Sequence, residues 1–222
     1  MKQINLMARE LGTSLTDAGF TRITARRYLR VTPGDIAQRI ELRPNRHGGE
    51  VTCDLTIHPL FAREHLALDI LEPGIWIRTL CSRFGQSAPT WYERNDSGIQ
   101  QMVDSIASAG LPWFDANATA EGIIQSATEF AEPWRNEQFV HVDLGHCYLR
   151  VGRFTEALHV FDRKPSRVPR YKTLSTWIAA GDIVQIEDLH STWTASSIAD
   201  LPINVAEPCG EREPPVTRDV KS

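Results

Sequence analysis

A chain of 222 residues with 41% hydrophobic and 23% charged side chains is long enough to bury a core without disulfides or a metal to hold it. Its net charge of −4 argues against a general nucleic-acid binder, which needs an extended basic surface. The charge is polarised, however: residues 1–50 carry 9 Lys/Arg against 5 Asp/Glu, whereas residues 96–163 carry 4 against 10. Two regions of opposite potential favour charged partners and orient them.

Residues 2–18 read as an amphipathic helix, with Ile4, Met7, Leu11, Leu15 and Ala18 on one face and Gly19 as its stop. The period then changes to two. In 22–31, Ile23, Ala25, Leu29 and Val31 are expected on one side and Arg22, Arg26, Tyr28 and Arg30 on the other, with Arg27 breaking the alternation. Thr32-Pro33-Gly34-Asp35 is a turn. In 36–43, Ile36, Ile40 and Leu42 oppose Arg39, Glu41 and Arg43; in 51–57, Val51, Cys53, Leu55 and Ile57 oppose Thr52, Asp54 and Thr56. With a fourth strand at 75–81, this predicts an antiparallel meander with one face buried and one wet.

From Asp96 onward the period is helical, with helices expected at 98–109, 119–131, 137–151, 154–163, 171–180 and 182–190. In "GLPWFD", residues 110–115, Gly110 reads as a left-handed helix cap, and Pro112 keeps Leu111 out of a helix. Trp113 and Phe114 then plug the core where two helices diverge. The polar flanks of Trp91 leave both a buried and an exposed placement open.

Strands followed by helices give an α+β fold: an N-terminal helix packed on a four-stranded antiparallel meander sheet, then an α-helical C-terminal half. The expected division is 1–95 for the helix and sheet and 96–192 for the helical region packed on it. The polar, Pro-rich residues 206–222 read as a disordered tail. Cys53, Cys81, Cys147 and Cys209 are scattered without a C-x-x-C pair, and the three internal ones read as small core groups in a reducing compartment. The opening MKQINLMARELG is too charged for a signal peptide, and no stretch approaches the roughly 20 apolar residues that span a bilayer. A cytoplasmic protein without membrane contact is the expectation.

Several pieces together resemble a family of uncharacterised bacterial domains. They are Ala18-Gly19-Phe20, "RRYLR", "IELRPN", "SRFG", "TWYERND" and "GLPWFD", and the resemblance covers roughly residues 5–130. It implies a bacterial setting similar to that of small immunity proteins, which sit beside toxin genes and block a toxin by binding it. Residues 138–171 resemble one tetratricopeptide repeat: Leu144, Gly145 and Tyr148 match its first helix, Gly152 and Phe154 its turn, and Ala157 and Phe161 its second helix, with Pro169 closing the unit. His141 and Lys164 depart from that pattern. No second copy follows at the family's period of about 34 residues, so a single hairpin built onto the sheet domain is expected, not a peptide-binding array.

Catalytic patterns are missing from the sequence. There is no G-x-S-x-G, and the glycine pair Gly48-Gly49 is a hairpin turn, not a phosphate loop. His141 and His146 are five apart and fall on different helix faces, where a metal site wants four. His58 and His65 read as surface histidines. No catalytic residue, metal ligand or cofactor is assigned. The polar constellation that remains is Arg22, Arg26 and Arg30 beside Arg39 and Arg43 on the expected wet face. These five read either as a solvated face balanced by Glu41 and Asp54 or as a docking surface for an acidic protein, and in the second reading they are the candidate partner-binding residues. The expected function is non-enzymatic protein binding by an immunity or defence-associated factor. The alternative is an enzyme or nucleic-acid-processing factor whose site is assembled from distant residues.

Overall fold

The computed structural model describes residues 11–45, 48–62, 76–79, 91–129, 137–162 and 169–203. The tail expected at 206–222, Cys81, Cys209, His65 and the "SRFG" motif lie outside these residues. The fold is α+β, as the strand-then-helix order predicts. Residues 11–17 form the described part of α1. Strands β1 (Thr21–Arg22), β2 (Arg27–Val31), β3 (Ile36–Pro44), β4 (Glu50–Pro59), β5 (Trp76–Thr79) and β6 (Tyr92–Glu93) follow, with a 3-10 turn at Leu60–Ala62 after β4. Helices α2 (Asp96–Ser105), α3 (Leu111–Ala116), α4 (Ala120–Glu129), α5 (Glu137–Arg150), α6 (Phe154–Asp162), α7 (Pro169–Ala180) and α8 (Ile183–Ala199) complete the chain.

All strand pairs are antiparallel, in the order β1-β2-β3-β4-β5, and β6 pairs with the start of β4. The meander therefore holds, widened from four strands to six by the two-residue strands β1 and β6. Ile36, Ile40 and Leu42 of β3 and Cys53, Leu55 and Ile57 of β4 form one apolar face. Leu11 and Leu15 of α1, Met102 and Ile106, Phe114 of α3, and Ile123 and Ile124 of α4 pack on it in one continuous core. Burial of apolar surface is the dominant favourable term in such a layer, and it fixes the register, because a one-residue slip would turn the whole row outward.

The expectation of one wet face fails at β4. Thr52, Asp54, Thr56 and His58 are buried as well as the apolar row between them. Part of the reason is covalently distant. The last turn of α8 and the residues after it bring Ile198, Leu201 and Ile203 against Leu29 and Ala37 on this second face, together with Leu60. The other part is self-neutralisation. Arg27 donates to Glu41 at 3.0 Å and Arg43 to Asp54 at 2.7 Å, so the charges meet partners within the sheet.

"GLPWFD" is a helix and not a break. A π-helical stretch, Ile106–Gly110, carries α2 straight into α3. Gly110 has φ −70, an ordinary right-handed value, so it is no left-handed cap. Its lack of a side chain serves a close approach: a Cβ there would stand 3.2 Å from Leu55 Cδ1. Pro112 sits in the first turn of α3, directly behind the π-helical stretch. The plug expected of the two aromatics is present: Phe114 is fully buried, with Trp113 and Phe20 ring centroids at 5.2 and 5.4 Å.

The last four helices form a ring. α5 packs on α6, α6 on α7, and α7 on α8 around Leu149, Ala157, Phe161, Leu174 and Ile186. The ring closes where His146 of α5 meets His190 of α8. The turn between α5 and α6 recurs between α7 and α8, 29 residues later. Gly152 and Gly181 both take φ near +70, and the next residue's N–H bonds back to Tyr148 or Trp177. This repeat is shorter than the 34-residue spacing and was invisible at that period.

Candidate functional site

The β1–β2 segment determines where the five arginines go. Both Ile23 N–H and Thr24 N–H donate to the Arg27 carbonyl, which folds residues 23–26 into a corner. Alternation restarts after the corner, at Arg27. Tyr28 therefore turns into the main core, opposite Ile40, and Leu29 falls on the second face, opposite Arg39. The expected single row of five guanidiniums does not exist. Arg22 and Arg30 lie on the helix-covered side, Arg39 and Arg43 on the other, and Arg26 lies in the corner.

Arg30 is a structural clasp. Its Nη1 donates to the Ala18 carbonyl at 2.8 Å, its Nε to Gln38 Oε1 at 2.6 Å and its Nη2 to Asp115 at 2.6 Å. The guanidinium lies 4.8 Å over the Phe20 ring, and Gln38 in turn donates to the Phe114 carbonyl at 2.6 Å. One side chain thus ties α1, the sheet and α3 together. Arg39 is buried on the second face, 3.8 Å from Glu41. Burial lowers its pKa below the usual arginine value, and Glu41 opposes that shift. Neither arginine is placed to meet a partner.

Arg22, Arg26 and Arg43 are exposed, but Arg22 lies on the helix-covered side and Arg43 on the other, with Arg26 in the corner between them at that end of the sheet. The Arg26 carbonyl accepts from Leu42 N–H at 2.9 Å, which sets it beside the end of β3. The side chain of Arg43 is 61% exposed even while bonded to Asp54. Arg22 Nε donates to the Thr24 carbonyl, and among the described residues neither Arg22 nor Arg26 forms an ion pair. Trp91 belongs to the same end. Tyr92 pairs with Val51, so Trp91 stands at the level of Thr52, the residue opposite Arg43. It is 40% exposed, which settles its placement. It lies across β4 from Arg43 and at the opposite edge of the sheet from β1, so of the three arginines only Arg43 stands at its level.

A second cluster escaped the sequence reading. His146 Nδ1 and His190 Nε2 are 3.0 Å apart, both rings buried. Phe61 stands 5.4 Å from His190, and Phe161 and Trp193 stand 5.4 and 5.3 Å from His146. Arg150 lies 5.4 Å over Phe61 and donates to Asp35 at 2.9 Å, on the β2–β3 turn, where Asp35 itself holds φ 59. Burial, with the Arg150 charge adding to it, lowers the His190 pKa from 6.5 to about 4. The two residues are 44 apart in sequence, and only the helical stripe of α8 could have marked His190 as an inward position.

Chemically the pair is closed, because both rings are shielded from solvent. Among the described residues, no group of three or more His, Cys, Asp or Glu could hold a metal ion. Cys53 and Cys147 are buried, and burial pushes both thiols well above their usual pKa, away from nucleophilic thiolate. No described helix is long and apolar enough to cross a membrane. Comparison with protein-family models, with characterised proteins and with solved structures found no match to this chain.

Proposed function

We propose that this protein acts without chemistry of its own, by binding another protein, in the manner of a bacterial immunity or defence-associated factor. The observation that carries the proposal is the pair of exposed cations Arg22 and Arg26 at the β1–β2 corner, with Arg43 exposed at the end of β3. Two of these arginines have no carboxylate partner among the described residues, in a chain whose net charge is −4. A protein with acid to spare that leaves cations unpaired at one corner keeps them available for an acidic surface. Such charges steer encounter and fix orientation.

The enzymatic alternative draws on the convergent histidines, yet their rings have no open face for a substrate. Affinity purification of the tagged protein from its native host, at low and at high salt, tests the binding reading. A protein partner retained in low salt and weakened in high salt supports it. No protein partner, or one held independently of salt, contradicts it.

A further inference from the structure

The buried His146–His190 contact joins α5 to α8, a helix that also packs on the 3-10 turn and on α7, and its surroundings make it sensitive to protons. At a separation of 3.0 Å one ring nitrogen donates and the other accepts, and because both rings are buried a proton taken up there places a charge out of reach of water. Four parts of the chain converge there. From α5 come His146, Arg150 and, one turn before His146, the buried Asp143; the thiol of Cys147 is buried beside them. From the β2–β3 turn comes Asp35, bound to Arg150. The 3-10 turn and α6 contribute Phe61 and Phe161, which do not titrate. The carboxylate of Asp35 is already engaged by Arg150, and Arg150 presents positive charge towards His190.

What the contact holds down is also defined. Beyond His190, α8 runs on to Ile198, and the chain continues through Leu201 to Ile203, all packed over Leu29, Ala37 and Leu60. Ile23 and Val31 border that same apolar patch, and Ile23 is the neighbour of Arg22 at the exposed corner. Lifting α8 would therefore uncover an apolar surface adjoining the basic one.

We propose that α8 and residues 200–203 form a strap over the second face of the sheet, latched by the His146–His190 contact and loosened by protonation. The direction follows from the two states of His190. Closed, its pKa is about 4; released into water, it returns towards 6.5. The open strap binds the proton more tightly than the closed one. The latch thus holds fully above about pH 6.5 and loosens as the pH falls from there towards 4.

Hydrogen exchange of the full chain, corrected for the intrinsic pH dependence of exchange, reads the strap directly. Between pH 7 and pH 5 the open population of α8 rises on the order of tenfold, while α2 to α4 keep their protection. In His190→Gln, which can still hydrogen-bond but cannot take up a charge, α8 exchange is independent of pH over that range. Unchanged α8 protection in the wild-type protein overturns the proposal. So does equal pH dependence in wild type and variant, or loss of protection in every helix together. If the variant does not fold, the wild-type contrast between α8 and α2 to α4 decides alone: selective loss supports the strap, and uniform loss or none overturns it.

Discussion

Arg22 and Arg30 lie eight positions apart and are the same residue type, yet the fold puts them to opposite uses. Arg30 donates to an oxygen of Gln38, Ala18 and Asp115, whereas Arg22 is exposed at the edge of the sheet. The bond to Asp115 counts for little, since that carboxylate is largely in water. The bonds to Gln38 and Ala18 are the valuable ones, because their loss strands partly buried polar groups. Arg30→Met is therefore expected to cost about 2–3 kcal/mol of folding stability in urea denaturation. Arg22→Gln should stay within about 0.5 kcal/mol of the wild type. Nothing in the letters distinguishes the two arginines. The difference arises because the corner at residues 23–26 resets the alternation, a backbone event that a count of odd and even positions passes over.

At the scale of elements, β3 and β4 were legible because Cys53, Leu55 and Ile57 keep a period of two, and Ile36, Ile40 and Leu42 keep it with Gln38 as the one polar member of the row. Their polar rows were misjudged as wet, since a strand covered on both faces can still alternate if its charges pair within the sheet. The "GLPWFD" segment failed in an instructive way. Gly and Pro usually punctuate a helix, but here Gly110 yields space to Leu55 and Pro112 opens a new helix in line with the last. Burial of Trp113 and Phe114 was nonetheless foreseeable, since apolar bulk seeks the core whichever backbone delivers it. Phe114→Ala should lower stability by about 3–5 kcal/mol, measured by thermal or urea unfolding. A cost under about 1 kcal/mol would place that ring outside the core. The hairpin α5–α6 is present with Gly145 against Phe161, but its ring-like closure onto α8 depends on a histidine pair that no local pattern announces.

For the whole molecule, the polarised charge found in the sequence becomes a division of labour among the arginines. Two of the five candidates are spent inside, on Gln38 and Glu41 among others, and three remain outside with Trp91. The sheet domain is expected to present that corner to an acidic partner, while α8 packs over the second face beside it. Quantitative affinity purification comparing wild type with Arg22→Glu/Arg26→Glu, alongside the melting temperature of each, tests this most directly. The account predicts that the double variant melts within a degree or two of the wild type and loses at least tenfold of the bound protein partner. Full retention of the partner by a folded double variant would contradict it.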